Sequence, residues 1–248
     1  MKLINLNVEG LIHSEKIFPF LLTESADVVC LQEAAAIHVK FLQENGYSVV
    51  FEERCIREQN GVEFIDGLLF ATKKPASVSM FCYHKPGLPV ETENFNYETE
   101  RNPTPRHILV GSVSIDGVEF VIGTTHFTWT RDGDVACAAQ QEDMQKFLGC
   151  AKDLPDHIMC GDFNIPRHYN SMYQELLDVY TDEIPESYKT SLDASFHRLN
   201  QDEVKREKLD RYMVDYVFQT KGYLINNIRL EFGLSDHAAI VAEVGRGK

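Results

Sequence analysis

The sequence predicts an α+β fold in which mixed β-sheets are covered by helices. Strand-like and helix-like apolar patterns alternate along the whole chain, which is typical of sheets joined partly through crossover helices. The Asp116-Gly117 pair, which lies between two strand-like runs, also predicts a tight antiparallel hairpin. Hairpins and crossovers together favour mixed sheets over a purely parallel, Rossmann-type sheet.

The elements follow from apolar periodicity and from turn residues at their ends. The best-defined helices have an amphipathic pattern, and one of them stops at Asn45-Gly46, a good helix-ending pair. Helices are predicted at residues 17–22, 34–44, 135–150 and 171–179. Strands are predicted at residues 3–8, 27–31, 47–52, 64–71, 77–83, 107–115, 118–124, 157–160, 212–219, 223–231 and 238–244.

The chain has 248 residues, a length that allows one large domain or two small ones. Because it contains no long linker, low-complexity tract or fixed-period repeat, we predict a single domain over residues 1–248. The polar, proline-containing segment 85–105 is expected to be an ordered loop over a site or a lid.

Composition and charge narrow the class of partner. The hydrophobic content of 44% and the charged content of 25% are those of an ordinary soluble globule. The net charge is 24 − 38 = −14, which argues against a broad footprint on duplex DNA. A phosphorylated substrate stays possible, because a bound cation and a few local basic groups can invert the field inside one cleft.

The cysteines indicate neither a zinc ribbon nor a thioredoxin-type redox motif, since none of the six forms a C-x-x-C pair. Cys30 and Cys160 lie in apolar runs and are expected to be small buried side chains. The N-terminal apolar run is too short for a signal peptide, and no stretch reaches membrane-spanning length. Free thiols without an export signal predict a cytoplasmic protein.

Polar side chains recur where predicted strands end. Asn7 and Glu33 each follow a buried strand, which suggests a common sheet edge, the usual place for a site in an open α/β layer. Each residue also has a plain structural interpretation, Asn7 as a turn residue and Glu33 as an acid at a helix start. Asp66-Gly67 is expected to form a turn among these segments.

The segment Gly161-Asp162-Phe163-Asn164 is a more specific signal of a functional site than Asn7 or Glu33. In extended chain Asp162 and Asn164 point to the same side while Phe163 points to the core. Gly161 permits a close backbone approach. A carboxylate beside an amide can orient a water molecule and hold a phosphoryl oxygen. The alternative is an Asx-rich turn closed by Pro166.

Two histidines complete the set of candidates. His237 in Ser235-Asp236-His237 precedes the last apolar strand, and Asp215 is placed to orient its ring, since a carboxylate behind a histidine fixes the tautomer. His126 ends a hairpin strand in the same manner, after Thr125. This set of oxygen ligands, together with two histidines, is what metal-assisted phosphoester hydrolysis requires.

In their order along the chain, these segments resemble the motifs of the endonuclease/exonuclease/phosphatase superfamily. The segments are Asn7, Gln32-Glu33, Thr125-His126, Gly161-Asp162-Phe163-Asn164, Asp215-Tyr216 and Ser235-Asp236-His237. That superfamily includes deoxyribonuclease I, abasic endonucleases, neutral sphingomyelinases, inositol-polyphosphate 5-phosphatases, tyrosyl-DNA phosphodiesterase 2 and deadenylases. The resemblance spans essentially the whole chain. It implies an α/β four-layer sandwich: two mixed β-sheets face to face, with helices on both outer faces.

The resemblance also implies a Mg²⁺ ion, or Mn²⁺ in its place. Carried over residue by residue, it makes Glu33 the principal metal ligand and Asn7 its assistant. Asp236 is expected to support either the metal or His237.

The remaining implied roles concern the water and the phosphate. Asp162 is expected to position or activate the attacking water, and Asn164 to hold a phosphoryl oxygen. His237 is expected to contact the phosphate and pair with Asp215, and His126 to make a second phosphate contact. The general base is either Asp162 or His237.

The chain departs from the abasic endonucleases in several places. Their tyrosine-containing motif has no clear match between residues 83 and 106, where Tyr97 is only a candidate. Arg101 and Arg106 are assigned to the surface or to loop stabilisation in preference to phosphate binding. Trp129, the single tryptophan, forms either a wall for the substrate or a cap on the core.

The function implied is that of a Mg²⁺-dependent hydrolase acting on a phosphodiester or a phosphomonoester. The acidic charge favours compact substrates: a nucleotide, a short single-stranded nucleic acid, or a lipid or sugar phosphate. One alternative is an endonuclease or exonuclease acting on DNA or RNA. A second is a non-catalytic binding module of the same fold, against which the full set of acids and histidines argues.

Overall fold

The computed structural model describes residues 1–84, 104–130, 132–197 and 203–247. Its first seven strands are β1 (Lys2–Asn7), β2 (Val28–Ala34), β3 (Ser48–Gln59), β4 (Val62–Thr72), β5 (Ala76–His84), β6 (Arg106–Ile115) and β7 (Val118–His126). The others are β8 (Ile158–Asp162), β9 (Thr181–Asp182), β10 (Asp215–Gln219), β11 (Tyr223–Glu231) and β12 (Ala239–Arg246). The helices are α1 (Ser14–Glu24), α2 (Ala36–Glu44), α3 (Ala138–Lys152), α4 (Met172–Leu177) and α5 (Glu203–Leu209).

The strands form two six-stranded mixed sheets, as the sequence predicted. The first has the order β11-β12-β1-β2-β4-β3 and the second the order β5-β6-β7-β8-β10-β9. Each sheet contains a parallel pair, β1 with β2 and β7 with β8, among antiparallel neighbours. Parallel strands end at the same edge of a sheet, so these pairs bring their C-terminal residues together.

Helices cover the outer faces. Ile17 and Leu21 of α1 pack with Ile4 and Leu6 of β1 on the outside of the first sheet. Met144 and Phe147 of α3 belong to the main core with the second sheet. This is the predicted four-layer sandwich, and each fully buried apolar side chain of this kind contributes about 1.5–3 kcal/mol.

A polar link crosses between the sheets close to the strand ends. The Gln32 amide donates 2.9 Å to Asn5 Oδ1 in its own sheet and 3.2 Å to Thr124 Oγ1 in the other. All three side chains are fully buried. Because buried amides lose stability when they are left unpaired, this link helps hold the two edges in one relative position.

The largest departure from the predicted elements is the β3–β4 hairpin. Its strands run about seven residues beyond the predicted end at residue 52, to a two-residue turn at Asn60-Gly61, where both residues have positive φ, 52° and 76°. Asp66-Gly67 is therefore not a turn, and that prediction was wrong. Asp66 lies inside β4, opposite a bulge between Glu53 and Cys55. Gly67 serves close packing and not a chain reversal, because a Cβ there would lie 2.4 Å from the Phe51 ring and 2.5 Å from the Glu52 carbonyl oxygen.

Smaller differences concern element ends. β2 continues through Gln32-Glu33, so Glu33 is within a strand and not behind one. Helix α5 was not predicted.

Cys30 and Cys160 are buried, as expected. No helix in the described part of the chain is both long and apolar enough to cross a membrane.

Candidate active site

The predicted site residues gather where the two sheets meet at one edge. Asn7 ends β1, His126 ends β7 and Asp162 ends β8. Asp215 opens the antiparallel neighbour β10, and His237 lies two residues before β12. In sheet register, Asp162 is directly opposite both His126 and Asp215. The topology therefore collects residues that are more than 200 positions apart in the sequence.

Asp162 is the centre of this group. Its Oδ2 accepts a 3.0 Å hydrogen bond from Asn7 Nδ2 and lies 3.5 Å from His126 Nε2 and 4.0 Å from His237 Nε2. Burial and the negative charge of Asp215 raise the pKa of Asp162 to about 7. A carboxyl poised near neutrality, with imidazoles beside it, can exchange a proton under ordinary conditions.

The backbone around Asp162 brings its buried carboxylate close to several partners. Gly161 has a φ of 148°, and a Cβ at this position would lie 1.9 Å from the Thr125 carbonyl oxygen. Asp162 Oδ1 accepts a 2.9 Å bond from the Asn164 backbone N–H, so the segment forms the Asx turn given as the alternative, and the prediction of extended chain through Asn164, whose φ is 53°, was wrong. Phe163 is buried in the core, as predicted. Asn164 donates through Nδ2 to the Phe127 carbonyl at 3.2 Å.

His237 is oriented by a chain of hydrogen bonds. Its Nδ1 is 2.7 Å from Asp215 Oδ2, and the same oxygen accepts a 2.6 Å bond from Ser191 Oγ. Ser191 Oγ in turn accepts the backbone N–H groups of Val214 and Asp215, each at 3.1 Å. Ser191 had no sequence motif to reveal it. The chain leaves Nε2 as the ring nitrogen that faces Asp162.

The surroundings shift the pKa values of the two histidines in opposite directions. Burial lowers the pKa of His237, but Asp215 and Asp236 outweigh it and raise that pKa well above its usual value. Burial, Arg54 and Arg106 lower the pKa of His126 well below its usual value. The surroundings therefore favour the charged form of His237 and the neutral form of His126. We call Asp162, Asp215, His126 and His237 the histidine half of the site.

Arg106 helps to hold His126. Its Nη1 donates 3.0 Å to the His126 carbonyl oxygen, and its side chain is buried. Of the two roles predicted for Arg106, the surface position is therefore wrong, and the observed bond is a stabilising contact to the backbone. The sequence pattern did not reveal this position, because a single arginine in a polar segment has no periodicity that separates a buried residue from an exposed one.

Next to the histidine half lies a group of three carboxylates: Glu9, Glu33 and Asp236, which we call the acidic half. Burial and the charges of Glu9 and Glu33 raise the pKa of Asp236 to about 7. Burial and Glu33 likewise raise the pKa of Glu9. Glu9 was not among the predicted ligands, although the spacing Asn7-x-Glu9 in extended chain was available as a signal.

Asn7 connects the halves. Its Nδ2 donates to Asp162 in the histidine half, while its Oδ1 accepts the backbone N–H of Glu9 at 3.1 Å. The Glu9 carboxylate is 2.9 Å from His13 Nε2. This arrangement holds the amide in one orientation, with its oxygen on the acidic side.

Two arginines of the extended hairpin approach the acidic half. Arg57 Nη1 donates to the Glu33 carboxylate and, at 2.9 Å, to Asp66 Oδ2. Arg54 donates through Nε and Nη2 to Asp66 Oδ1, at 3.0 and 2.7 Å. Burial raises the pKa of Glu33, but Arg57 and Arg54 outweigh it and lower that pKa to about 2. Both arginines were missed, and the Asn60-Gly61 turn was the signal that would have extended the strand to include them.

The donor chemistry of the acidic half fits a hard divalent cation. Carboxylate and amide oxygens are the ligands that Mg²⁺ takes, and the pKa values of Glu9 and Asp236 are raised first by burial and then by the neighbouring carboxylates, an effect that a bound cation would oppose. In the histidine half, Asp162, Asp215 and His237 also offer ligand atoms within 4.8 Å of one another and can hold a metal.

The segment 85–105 and Trp129 are the remaining sequence predictions. Residues 85–103, which include Tyr97, Arg101 and most of the predicted loop or lid, lie outside the residues that the structure describes. Trp129, three residues after His126, is 37% exposed. It is thus too exposed to be a simple cap on the core.

The fold is that of the endonuclease/exonuclease/phosphatase proteins. No protein-family model and no curated protein matches the chain. Among solved structures, an endonuclease/exonuclease/phosphatase from Beutenbergia cavernae is similar with a TM-score of 0.71 and 17% identity, over 100% of this chain and 72% of that one.

Two further similar structures have named substrates or products. TDP2 from D. rerio, complexed with a single-strand DNA product, has a TM-score of 0.65 and 17% identity over 99% of this chain and 98% of that one. A mannosyl-6-phosphatase from Bacteroides thetaiotaomicron has a TM-score of 0.62 and 17% identity over 99% of both chains. At this identity the likeness establishes the fold.

Proposed function

We propose that the protein is a metal-dependent phosphoesterase that hydrolyses a phosphodiester or phosphomonoester bond by in-line attack of a water molecule. One observation carries the proposal: a buried carboxylate, Asp162, lies within 4.0 Å of two imidazoles and beside a separate group of hard oxygen ligands. Proton transfer and charge neutralisation, the two requirements of phosphoester hydrolysis, are thus met by adjacent groups.

In this proposal Asp162 takes the proton of the attacking water. Its pKa of about 7 makes it basic enough to accept that proton and ionised often enough to act near neutral pH. His237, whose charged form is favoured by Asp215 and Asp236, donates from Nε2 to a phosphoryl oxygen, and Asp215 orients it through Nδ1. His126 serves as a second, neutral donor to phosphate, with Asn164 beside it.

Glu33, Asn7, Asp236 and Glu9 are the residues that would hold the metal, which we propose to be Mg²⁺ or Mn²⁺. A bound divalent cation supplies charge neutralisation at the phosphoryl group and at the leaving oxygen. The surplus negative charge of the acidic half is the feature that supports this choice.

We propose a compact phosphorylated substrate: a nucleotide, a short single-stranded nucleic acid, or a sugar or lipid phosphate. Support comes from the net charge of −14, which disfavours a long duplex. The similar structures include one with a single-strand DNA product and one that is a sugar phosphatase.

The test is a screen of the purified protein with Mg²⁺ against nucleotides, single-stranded and duplex oligonucleotides, sugar phosphates and sphingomyelin. Asp162→Asn is run beside Asp156→Asn, an exposed aspartate at the opposite end of β8. We expect Mg²⁺-dependent turnover of at least one small phosphoester that Asp162→Asn loses and Asp156→Asn keeps. Equal turnover in chelator, or in Asp162→Asn, would refute the proposal.

A further inference from the structure

The carboxylate expected to be the main metal ligand already has a cation bound to it. Arg57 Nη1 donates to Glu33 and to Asp66, so one guanidinium bridges the two acids. The Arg57 side chain is 26% exposed and that of Glu33 is 20% exposed, which leaves both within reach of ions from solution. Arg57 and a divalent cation would therefore use the same carboxylate.

The β3–β4 hairpin holds Arg57 in this position. Its guanidinium carbon lies 6.0 Å from the centre of the Phe64 ring, directly across the hairpin. Near the tip, Gln59 donates 2.8 Å to the Glu9 carbonyl and accepts 2.7 Å from the Leu11 N–H. The hairpin thus packs against the segment that carries Glu9, and it delivers a positive charge to the acidic half.

The two ends of the bridge are not equivalent. Asp66 is fully buried and also binds Arg54 through two hydrogen bonds, so it is paired with or without Arg57. Glu33 has Arg57 as its only ion-pair partner among the described residues. Arg57 can consequently leave Glu33 and keep its 2.9 Å bond to Asp66. The opposite change would separate Arg57 from its most buried partner.

We propose that Arg57 is the resident counter-ion of the metal site: its guanidinium neutralises Glu33 in the metal-free protein and competes directly with a divalent cation for that carboxylate. Arg57 thereby weakens metal binding and makes metal occupancy depend on displacement of the guanidinium from Glu33. This inference rests on the proposed function, because it takes Glu33 to be a metal ligand.

Calorimetric titration with Mn²⁺ alone, without substrate, tests the competition. Arg57→Gln removes the charge. Arg57→Lys keeps the charge but loses the planar fork that bridges two acids. The matched control is Arg229→Gln. Arg229 lies on the edge strand β11 and also bridges two carboxylates, those of Glu24 and Glu231.

We expect Arg57→Gln to bind Mn²⁺ about tenfold more tightly than wild type, since a unit positive charge a few ångströms away opposes a divalent ion. Arg57→Lys should lie between the two, and Arg229→Gln should match wild type. The rise in Tm on adding Mn²⁺ should be larger for Arg57→Gln than for wild type, by mass action.

Unchanged or weaker Mn²⁺ binding by a folded Arg57→Gln would overturn the inference while leaving the proposed function intact. If Arg57→Gln does not fold, Arg57→Lys decides: tighter binding than wild type supports competition, and equal or weaker binding contradicts it. Absence of Mn²⁺ binding in all variants and in wild type would instead refute the proposed metal dependence and, with it, the inference.

Discussion

The two halves of the site differ in how completely their charged groups are paired within the protein. In the histidine half, each charged group has a partner of opposite charge: Asp215 pairs with His237, which also faces Asp162. In the acidic half, three carboxylates face one another, and Arg57 alone is bonded to Glu33. Under the proposed function, this difference in pairing suits the histidine half to proton transfer and the acidic half to cation binding.

The difference is also one of construction. In the histidine half, Asp162, Asp215 and His126 lie on neighbouring strands of the second sheet in direct register, and only His237 comes from the segment before β12. The acidic half is assembled from positive-φ residues, Glu9 at 53° and Glu33 at 55°, and from the segment before β12. A hairpin from the sheet edge encloses it. Irregular backbone at a polar cluster is a common mark of a functional site.

The largest expected effect is on turnover through the histidine half. Asp162→Asn and His237→Ala should each lower kcat by about a hundredfold or more at saturating Mg²⁺, because each removes a group used for proton transfer or for transition-state charge. Circular dichroism should show an intact fold. Near wild-type kcat in both variants would mean that this half does not perform the chemistry.

Loss of Glu33, the proposed metal ligand, should lower turnover nearly as much, but through weaker Mg²⁺ binding. Glu33→Ala should weaken Mg²⁺ binding about tenfold to a hundredfold, as expected for removal of a carboxylate ligand from a solvated site. Excess Mg²⁺ should then restore part of the activity. If excess Mg²⁺ restores activity equally in Asp162→Asn, the halves do not have separate roles.

Asp215→Asn should have a smaller effect, because Asp215 acts through His237. We expect a loss of about tenfold in kcat, together with a lower pKa for His237, since the charge of Asp215 is the largest contribution that raises it. The high-pH limb of the pH–rate profile should move to lower pH. A purely structural role would lower kcat without moving that limb.

The pH dependence of stability follows from the raised pKa of Asp162. A carboxyl whose pKa rises from 3.8 to about 7 on folding adds stability that is fully present below 3.8 and is lost as the pH rises through about 7. In chelator, wild type should therefore lose on the order of 4 kcal/mol relative to Asp162→Asn between acid and neutral pH, since each pKa unit is worth about 1.4 kcal/mol. A constant difference in the free energy of unfolding across that window would contradict the assignment.

The smallest effect is expected at the hairpin tip. Gly61 has a φ of 76° with no atom near its missing Cβ, so Gly61→Ala costs only backbone strain, about 1 kcal/mol. The free energy of unfolding should fall by that amount while kcat changes less than twofold. A large loss of Mn²⁺ affinity in this variant would show that the tip, and not Arg57 alone, controls the acidic half.

The sequence predicted the sheets well because apolar runs and the Asp116-Gly117 turn are local signals. Asp162 and His237 were singled out because each lies beside such a run, Asp215 because it lies in the predicted strand 212–219, and the resemblance to the superfamily joined them into one set. Arg54 and Arg57 were not, because β3 beyond residue 52 is polar and half-exposed and lacks an apolar pattern. Ser191 lies in a loop and contributes through a long-range contact that no local pattern encodes.

The most direct test of the two-halves account is a calorimetric Mn²⁺ titration of Asp162→Asn and Glu33→Ala, side by side. The account predicts that Asp162→Asn binds Mn²⁺ with an affinity close to that of wild type although it has lost turnover, and that Glu33→Ala binds it far more weakly. Loss of Mn²⁺ binding in Asp162→Asn, or unchanged binding in Glu33→Ala, would contradict the separation of proton transfer from cation binding.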